Sequence, residues 1–269
     1  MPPDEIDPNA SSEQLARLQA QFTRTADVYA RMRQTTDERS LDGLVTICAP
    51  SASARALDVA CGPGLLTLAL ARRCAEATGI DATDAFLDLA RDEAGRRGQT
   101  NVRFRQGNAE RLPFDDDRFD VVTCRAAFHH FPRPDRVLAQ MARVTAPAGR
   151  ILVADLLGSE DAEQASLHDR IERLCDPSHE RALPASELER LFCEARLRVV
   201  RKLDGALDYD LDEWIAHGAP GEAAREEIVS LMQSCVDSDG AGLAVRRENG
   251  RLRFRHRTAA FVLEPAPPT

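Results

Sequence analysis

The sequence predicts a doubly wound α/β fold with a mainly parallel sheet and helices on both faces. Three observations predict it. From Arg55 onward, short apolar runs alternate with amphipathic stretches at the spacing of strand–helix units. Glycines stand where the first strand turns into a helix, in Cys61–Gly62–Pro63–Gly64. A chain of 269 residues with 43% hydrophobic and 29% charged residues can also build one large core.

The elements follow in order. Leu15, Leu18, Phe22, Ala26 and Tyr29 recur at three- and four-residue steps, predicting a helix over Ser11–Arg33 with one apolar face. A second helix is expected over Asp37–Cys48, then a connector through Pro50 and Ser51–Ala54. Strands are expected at Ala56–Ala60, Glu76–Ile80, Val102–Arg105, Phe119–Cys124 and Arg150–Asp155, the last entered from a turn at Pro147–Gly149. The intervening helices are Leu65–Cys74, Ala85–Arg97 and Pro134–Val144. Right-handed crossovers place the loops after these strands on one common edge.

After Asp155 the rhythm breaks. A charged stretch, Gly158–Arg181, reads as an inserted helix; Ser186–Ala195 is a helix and Leu197–Leu203 a strand. Asp212–Ala216 and Glu222–Val236 read as helices, the second packing through Ile228, Leu231, Met232 and Cys235. Leu252–Leu263 closes the set as a seventh strand. The alternating arginines of Arg246–Arg257 are expected on a solvated strand face. Residues 1–50 are expected to form a tail and lid helices, and 51–269 a core with a helical insertion at about 156–190. The first ten residues and Pro265–Thr269 are expected to be frayed.

Composition excludes several chemistries. The net charge of -9 and the lack of basic–aromatic tracts oppose nucleic-acid binding. No apolar run approaches the roughly 20 residues of a membrane span, and the polar, acidic start lacks signal-peptide character, so a cytoplasmic protein is expected. Seven scattered cysteines without a CxxC oppose a disulfide framework and a zinc site; they are expected as small core residues. Lys202 is the sole lysine, which leaves Schiff-base and P-loop chemistry almost without a candidate.

Three segments carry chemistry. In ALDVACGPGLLTLAL, residues 56–70, a buried strand ends near Asp58 and Gly62–Gly64 opens a helix whose free N–H groups suit a carboxylate or phosphate. A dinucleotide fingerprint would have glycine at position 60 and a third small residue at 67; Ala60 and Thr67 stand there instead. Asp58 disfavours a pyrophosphate and suits an ammonium group. Asp81 ends the second strand 19 residues after Gly62, where a carboxylate can accept both hydroxyls of a ribose. The competing reading, helix N-cap, fits Asp84 better. Thr83 and Phe86 follow as adenine contacts. In GNAERLPFDDDRFDVV, residues 107–122, Asn108 can bond an adenine amino group, and Asp115–Asp117 reads as a solvated turn without a metal partner set.

Together these blocks resemble the class I S-adenosylmethionine-dependent methyltransferases, nearest to the ubiquinone/menaquinone-biosynthesis C-methyltransferase type and its small-molecule relatives. The resemblance covers roughly residues 20–155. It is carried by Asp58, Ala60, Gly62 and Gly64, by Asp81, by Leu112–Phe114 with Phe119–Asp120, and by Phe128–His129–His130–Phe131 followed by Pro132 and Asp135. Asn108 stands where the family has an acid. The resemblance implies a Rossmann-like, seven-stranded sheet with an antiparallel final strand and an N-terminal helical lid. It also implies S-adenosyl-L-methionine as cofactor and a small-molecule methyl acceptor. No metal is expected, for want of a ligand cluster along the chain, and the chain is expected as a monomer or homodimer. Tyr29, Arg33, Ala82, Ala109 and Arg125 complete the implied cofactor-binding set, with Arg33 reaching the methionyl carboxylate.

His129 and His130 follow the fourth strand, where the methyl should sit, and histidine has the pKa of a base near neutrality. The residues do not choose between them, nor between a base and a loop-holding role. Asp176–Pro177–Ser178–His179 can line the acceptor pocket or merely shape a turn. Trp214 packs the C-terminal helix or walls a flat acceptor; His217 and His256 carry no signal. Two other functions stay open: non-methylating chemistry on the same cofactor, and cofactor binding without catalysis.

Overall fold

The computed structural model describes residues 8–32 and 37–266. The expectations for residues 1–7, Arg33 and residues 267–269 lie outside them. Nine helices and eight strands are formed among the described residues. Helix α1 spans Pro8–Arg31 and α2 Glu38–Cys48; α1 thus begins inside the stretch expected to fray. Strand β1 (Arg55–Val59) leads through the glycine turn to α3 (Leu65–Ala71). Then come β2 (Glu76–Asp81), α4 (Asp84–Arg96), β3 (Val102–Gln106) and β4 (Phe119–Arg125). A single 3₁₀ turn, Phe128–His130, precedes α5 (Pro134–Val144) and β5 (Thr145–Leu156). Helices α6 (Ala162–Cys175) and α7 (Ala185–Glu194), strand β6 (Leu197–Asp210), helices α8 (Leu211–Gly218) and α9 (Glu222–Ser234), and strands β7 (Arg246–Glu248) and β8 (Arg251–Pro265) complete the chain.

The sheet order is β3-β2-β1-β4-β5-β8-β6, with β7 paired to β8. The first five strands are parallel, and β8 runs antiparallel between β5 and β6. Strand order reverses between β1 and β4, so the loops after β1, β2 and β4 open around one crevice.

Side-chain alternation splits the core in two. Leu57, Val122, Ile151, Val153, Phe261 and Leu263 face α5 and α7, through Leu138, Met141, Leu188 and Phe192. Their neighbours Ala56, Val121, Leu152, Ala154, Ala260 and Val262 face α2 and α3, through Leu41, Val45, Leu66 and Leu70. Small residues on the second face let those helices approach closely. A third cluster joins α6, α8 and α9 through Ile171, Trp214, Ile215, Ile228 and Met232 onto Phe254 of β8. Six of the seven cysteines are buried and all are free thiols.

Four expectations need correction. The sheet has eight strands, because Arg246–Glu248 folds back on Leu252 and its neighbours as a short hairpin arm. Pro147–Gly149 is not a turn ahead of β5 but an irregularity within it: β5 starts at Thr145, opposite Phe119, and a register shift before Val121 takes up the extra residues. Strand β6 runs seven residues past Leu203, because its outer half pairs with β8 as far as Arg253. Finally, Thr83 occupies the N-cap position of α4, and Asp84 is its first helical residue, accepting from Gln106 Nε2 at 3.0 Å.

Three arginines of the β7–β8 arm pair with aspartates of β6. Arg246 and Arg255 meet Asp208 at 2.9 and 2.8 Å, and Arg251 meets Asp210 at 3.2 Å. Such solvated pairs fix the arm's register more than they add stability.

Candidate active site

The glycine turn after β1 is built on positive φ. Ala60 has φ +53°, Gly62 +52° and Gly64 +77°. Gly64 is fixed by packing: a Cβ there would stand 2.7 Å from both Ala90 Cβ and the Phe104 ring. Gly62 differs, since a Cβ there meets no protein atom within 4 Å. Ala60 carries a side chain in a conformation that favours glycine, at a cost on the order of 1 kcal/mol. Ala60→Gly should therefore raise stability by a few tenths to about 1 kcal/mol, read as a higher urea midpoint.

Two acids organise the turn. Asp58 is 2% exposed, and each of its oxygens accepts a hydroxyl, from Thr67 and Thr123, both at 2.8 Å. Burial pushes its carboxyl up to about 6 against those two bonds. It thus braces β1, β4 and α3, with both oxygens already engaged by the protein. Thr67, a departure from the dinucleotide fingerprint, is one of its partners. Asp81 accepts from the backbone N–H of Gly62 and of Thr83, at 2.8 Å each, tying β2 to the glycine turn. Burial raises its pKa although those N–H groups oppose the shift.

These elements surround a first cleft of about 1050 Å³ including its mouth. It gathers Tyr29, Asp58, Ala60, Gly62, Asp81, Ala82, Phe86, Asn108, Ala109 and Arg125, every described residue of the expected cofactor set except Gly64. Gly64 lies behind the turn. Asn108 spends its Oδ1 on the Glu110 N–H at 2.8 Å, leaving its amide N–H₂ as the group to offer a ligand. Thr83 is buried behind Asp81 and does not line the cleft.

Helix α1 closes this cleft. Its Phe22 and Tyr29 rings pack on Phe86, at centroid distances of 5.3 and 5.5 Å. Three glutamines clasp it down: Gln19 donates to Ala82 O (2.8 Å), Gln21 to Gly218 O (3.1 Å) and Gln14 to Ser178 O (2.7 Å). Gln14 lines the cleft, and its Oε1 is buried without a hydrogen-bond partner. Sequence reading passed over these glutamines; the seven-residue spacing of Gln14 and Gln21, on one face of an apolar helix, was the available signal.

A second cleft, of about 1440 Å³ including its mouth, adjoins the first. Phe22, Tyr29, Arg125, Ala126 and His130 line both and form the wall between them. The extended outer half of β6 gives the second cleft Leu203, Leu207 and Tyr209, and α8 gives Trp214 and His217. Asp176 and His179 also line it, while Ser178 closes a turn by donating its N–H and hydroxyl to Asp176 Oδ1. The segment therefore shapes a turn and also lines a cleft. His217 and His256, silent in sequence, face this cleft too.

The paired histidines differ. His129 Nδ1 donates to Asp155 Oδ1 at 2.6 Å. Asp155 is buried and also accepts the backbone N–H groups of Ala127, Phe128 and Leu156. Burial alone would push the Asp155 carboxyl up, but His129 and these N–H groups hold it below its ordinary value. Burial likewise lowers His129, and Asp155 outweighs it, leaving the imidazole above its ordinary 6.5. His130 donates from Nδ1 to Ser178 O at 3.0 Å and packs against Phe22. Burial and the neighbouring His129 bring it down to about 4. His129 is thus an oriented imidazole facing the second cleft, and His130 a neutral ring that joins α1 to the 176–179 loop.

Comparison with known proteins agrees with this architecture. A methyltransferase domain model matches residues 57–153, from β1 into β5. An uncharacterized methyltransferase of Bacillus subtilis, YcgJ, is 32% identical over 216 residues, which cover 80% of this chain and 85% of that protein. The chain belongs to the class I S-adenosylmethionine-dependent methyltransferases. The crystal structure of YcgJ superposes on this methyltransferase with a TM-score of 0.79 at 30% identity, covering 86% of this chain and all of that one. A demethylmenaquinone methyltransferase of Deinococcus radiodurans is 42% identical over 103 residues, 38% of this chain and 42% of its own. Among the methyltransferase's described residues no helix is long and apolar enough to cross a membrane.

Proposed function

We propose that this methyltransferase binds S-adenosylmethionine in the first cleft and methylates a small, flat acceptor held in the second. The observation that carries the reading is the shared wall of the two clefts, with the Asp155-oriented His129 on the acceptor side. The first cleft fits the cofactor's chemistry on its own terms. Asp81 lines the cleft and accepts the Gly62 and Thr83 N–H groups on separate oxygens, and a carboxylate with about four acceptor sites can take ribose hydroxyls beside them. The bare Cα of Gly62 leaves room for a ligand against the turn. Ile80, Ala82, Phe86 and Ala109 offer an apolar slot for adenine, and Asn108 supplies a donor beside it. The orphaned Gln14 Oε1 suits the methionyl ammonium together with Asp58, which lines the same cleft and accepts only one hydroxyl on each oxygen.

The bound cofactor supplies a methyl group already activated by a sulfonium. The protein's part is alignment and exclusion of water, worth on the order of 7–11 kcal/mol. Helix α1 and its aromatic contacts cover the first cleft and keep water out. Tyr209 and Trp214 provide flat walls for an aromatic or quinonoid acceptor. His129 takes the proton from an acceptor hydroxyl or acidic carbon at Nε2, because Nδ1 is committed to Asp155.

The test incubates purified protein with methyl-labelled S-adenosylmethionine and a panel of phenols, quinones and amines. Label in a phenol or quinone product is the expected result. Label found only in amines would overturn the acceptor assignment, and failure to retain S-adenosylmethionine in equilibrium dialysis would overturn the cofactor site.

A further inference from the structure

We infer that His168, Glu172 and His256 form a binding site for one divalent transition-metal ion in the wall of the second cleft. His168 and Glu172 stand one turn apart on α6, so they share a face; His256 reaches them from β8. One potential ligand atom from each lies within 4.8 Å of the others. His256 Nε2 is 2.9 Å and His168 Nε2 3.5 Å from the same oxygen, Glu172 Oε1. All three side chains are buried, with exposures of 2, 6 and 4% for His168, Glu172 and His256.

The orientation of these groups, beyond their proximity, points to a cation. His168 Nε2, Glu172 Oε1 and His256 Nε2 are all buried, and none is in hydrogen-bonding geometry with any partner. Two ring nitrogens and a carboxylate oxygen converge without satisfying one another. An ion about 2.0–2.2 Å from each atom would satisfy all three, and tetrahedral ligands at such bond lengths stand roughly 3.3–3.5 Å apart. The His256 ring is held from outside by Tyr209 and Phe254, each with its ring centroid at 5.1 Å. Two imidazoles and one carboxylate suit zinc, ferrous iron or cobalt, whereas magnesium and calcium prefer all-oxygen sets. The expectation of no metal rested on the lack of a ligand cluster along the chain; His168 and Glu172 carry a helical pair, but His256 lies 84 residues past Glu172.

Three protein ligands leave at least one position open. Glu172 and His256 line the second cleft, so an open position there faces the acceptor. Resting on the acceptor reading above, the site narrows the substrate class to molecules presenting an oxygen anion, a phenolate or an enolate, to the metal. The metal site itself does not depend on that reading.

The experiment strips the full-length protein with a chelator and titrates it with Co²⁺, in the absence of any acceptor. The expected result is one equivalent bound per chain with a visible d–d band, and X-ray absorption showing imidazole and oxygen ligands. His168→Asn and Glu172→Gln should weaken Co²⁺ binding by about tenfold or more while S-adenosylmethionine binding persists. No stoichiometric binding, a sulfur-rich ligand sphere, or variants that titrate like the parent would overturn the site. Should a variant fail to fold, the ligand sphere of the parent decides alone. After Co²⁺ binding is established, displacement of bound water by catechol, read as a shift of the d–d band, tests the acceptor class separately.

Discussion

Replacing Asp81 by alanine lowers the affinity for S-adenosylmethionine on the order of 100-fold or more, as loss of two charge-assisted hydrogen bonds requires. The effect has two sources, because the carboxylate also accepts the N–H groups of Gly62 and Thr83 and so sets the glycine turn. They separate with a cofactor analogue lacking one ribose hydroxyl. The parent should bind the analogue about tenfold more weakly than the cofactor, and Asp81→Ala should bind both alike. Isothermal titration of the two proteins with the two ligands supplies the cycle. Equal discrimination by parent and variant would remove Asp81 from the ribose and leave it only the turn. Gly62→Val is the steric counterpart. Its side chain meets no protein atom within 4 Å of the Cβ, so lost binding there reports filled ligand space together with backbone strain at φ +52°.

Substituting His129 by alanine lowers kcat by about 10²–10⁴-fold for a hydroxyl acceptor and leaves cofactor affinity unchanged. The pH dependence gives the sharper signature. A base must be neutral, so the rate rises with pH as the imidazolium loses its proton. Asp155 favours that imidazolium and lifts the pKa above 6.5, so the limb lies on the alkaline side of an ordinary histidine. The variant should lose the limb altogether. Asp155→Asn should move it toward acid, since the charge that favours the imidazolium is gone, and should also cost stability at the three backbone N–H groups that Asp155 accepts. The stability linkage has the matching sign. His129, with its raised pKa, stabilises the fold below its unfolded pKa, and that contribution fades as pH rises through the folded value; Asp155, with its lowered pKa, does the opposite at acid pH. An unchanged rate–pH profile in His129→Ala would falsify its role as base. His130, held near 4 by burial, is already neutral across this range and contributes no limb.

Much of the frame was legible because local physics and tertiary structure agree there. Helix Pro134–Val144 was read to the residue, since Pro134 fits the first helical turn and Val137, Leu138, Met141 and Val144 recur at helical spacing. The strands around the crevice were legible because they are buried on both faces and read as apolar runs between turns. The outer half of β6 was not: residues 204–210 include three aspartates and a glycine, and only Asp210 is buried. Pairing with β8 alone makes them a strand, and pairing partners are non-local.

The sequence by itself determined the doubly wound frame, the glycine turn and the acid at the end of β2, because each depends on a short stretch of chain with its own backbone demand. It also placed His129 and His130 on the rim after β4. Only the tertiary structure decided which histidine is oriented for a proton, because Asp155 lies 26 residues from His129 along the chain. Only the fold assembled the second cleft, from α1, α6, α8 and the long β6–β8 ladder, and brought His256 onto α6. The physical reason is the same in both cases. A turn or a strand end is fixed by neighbours in sequence, whereas orientation, burial and convergence of side chains are set by partners that only packing brings together.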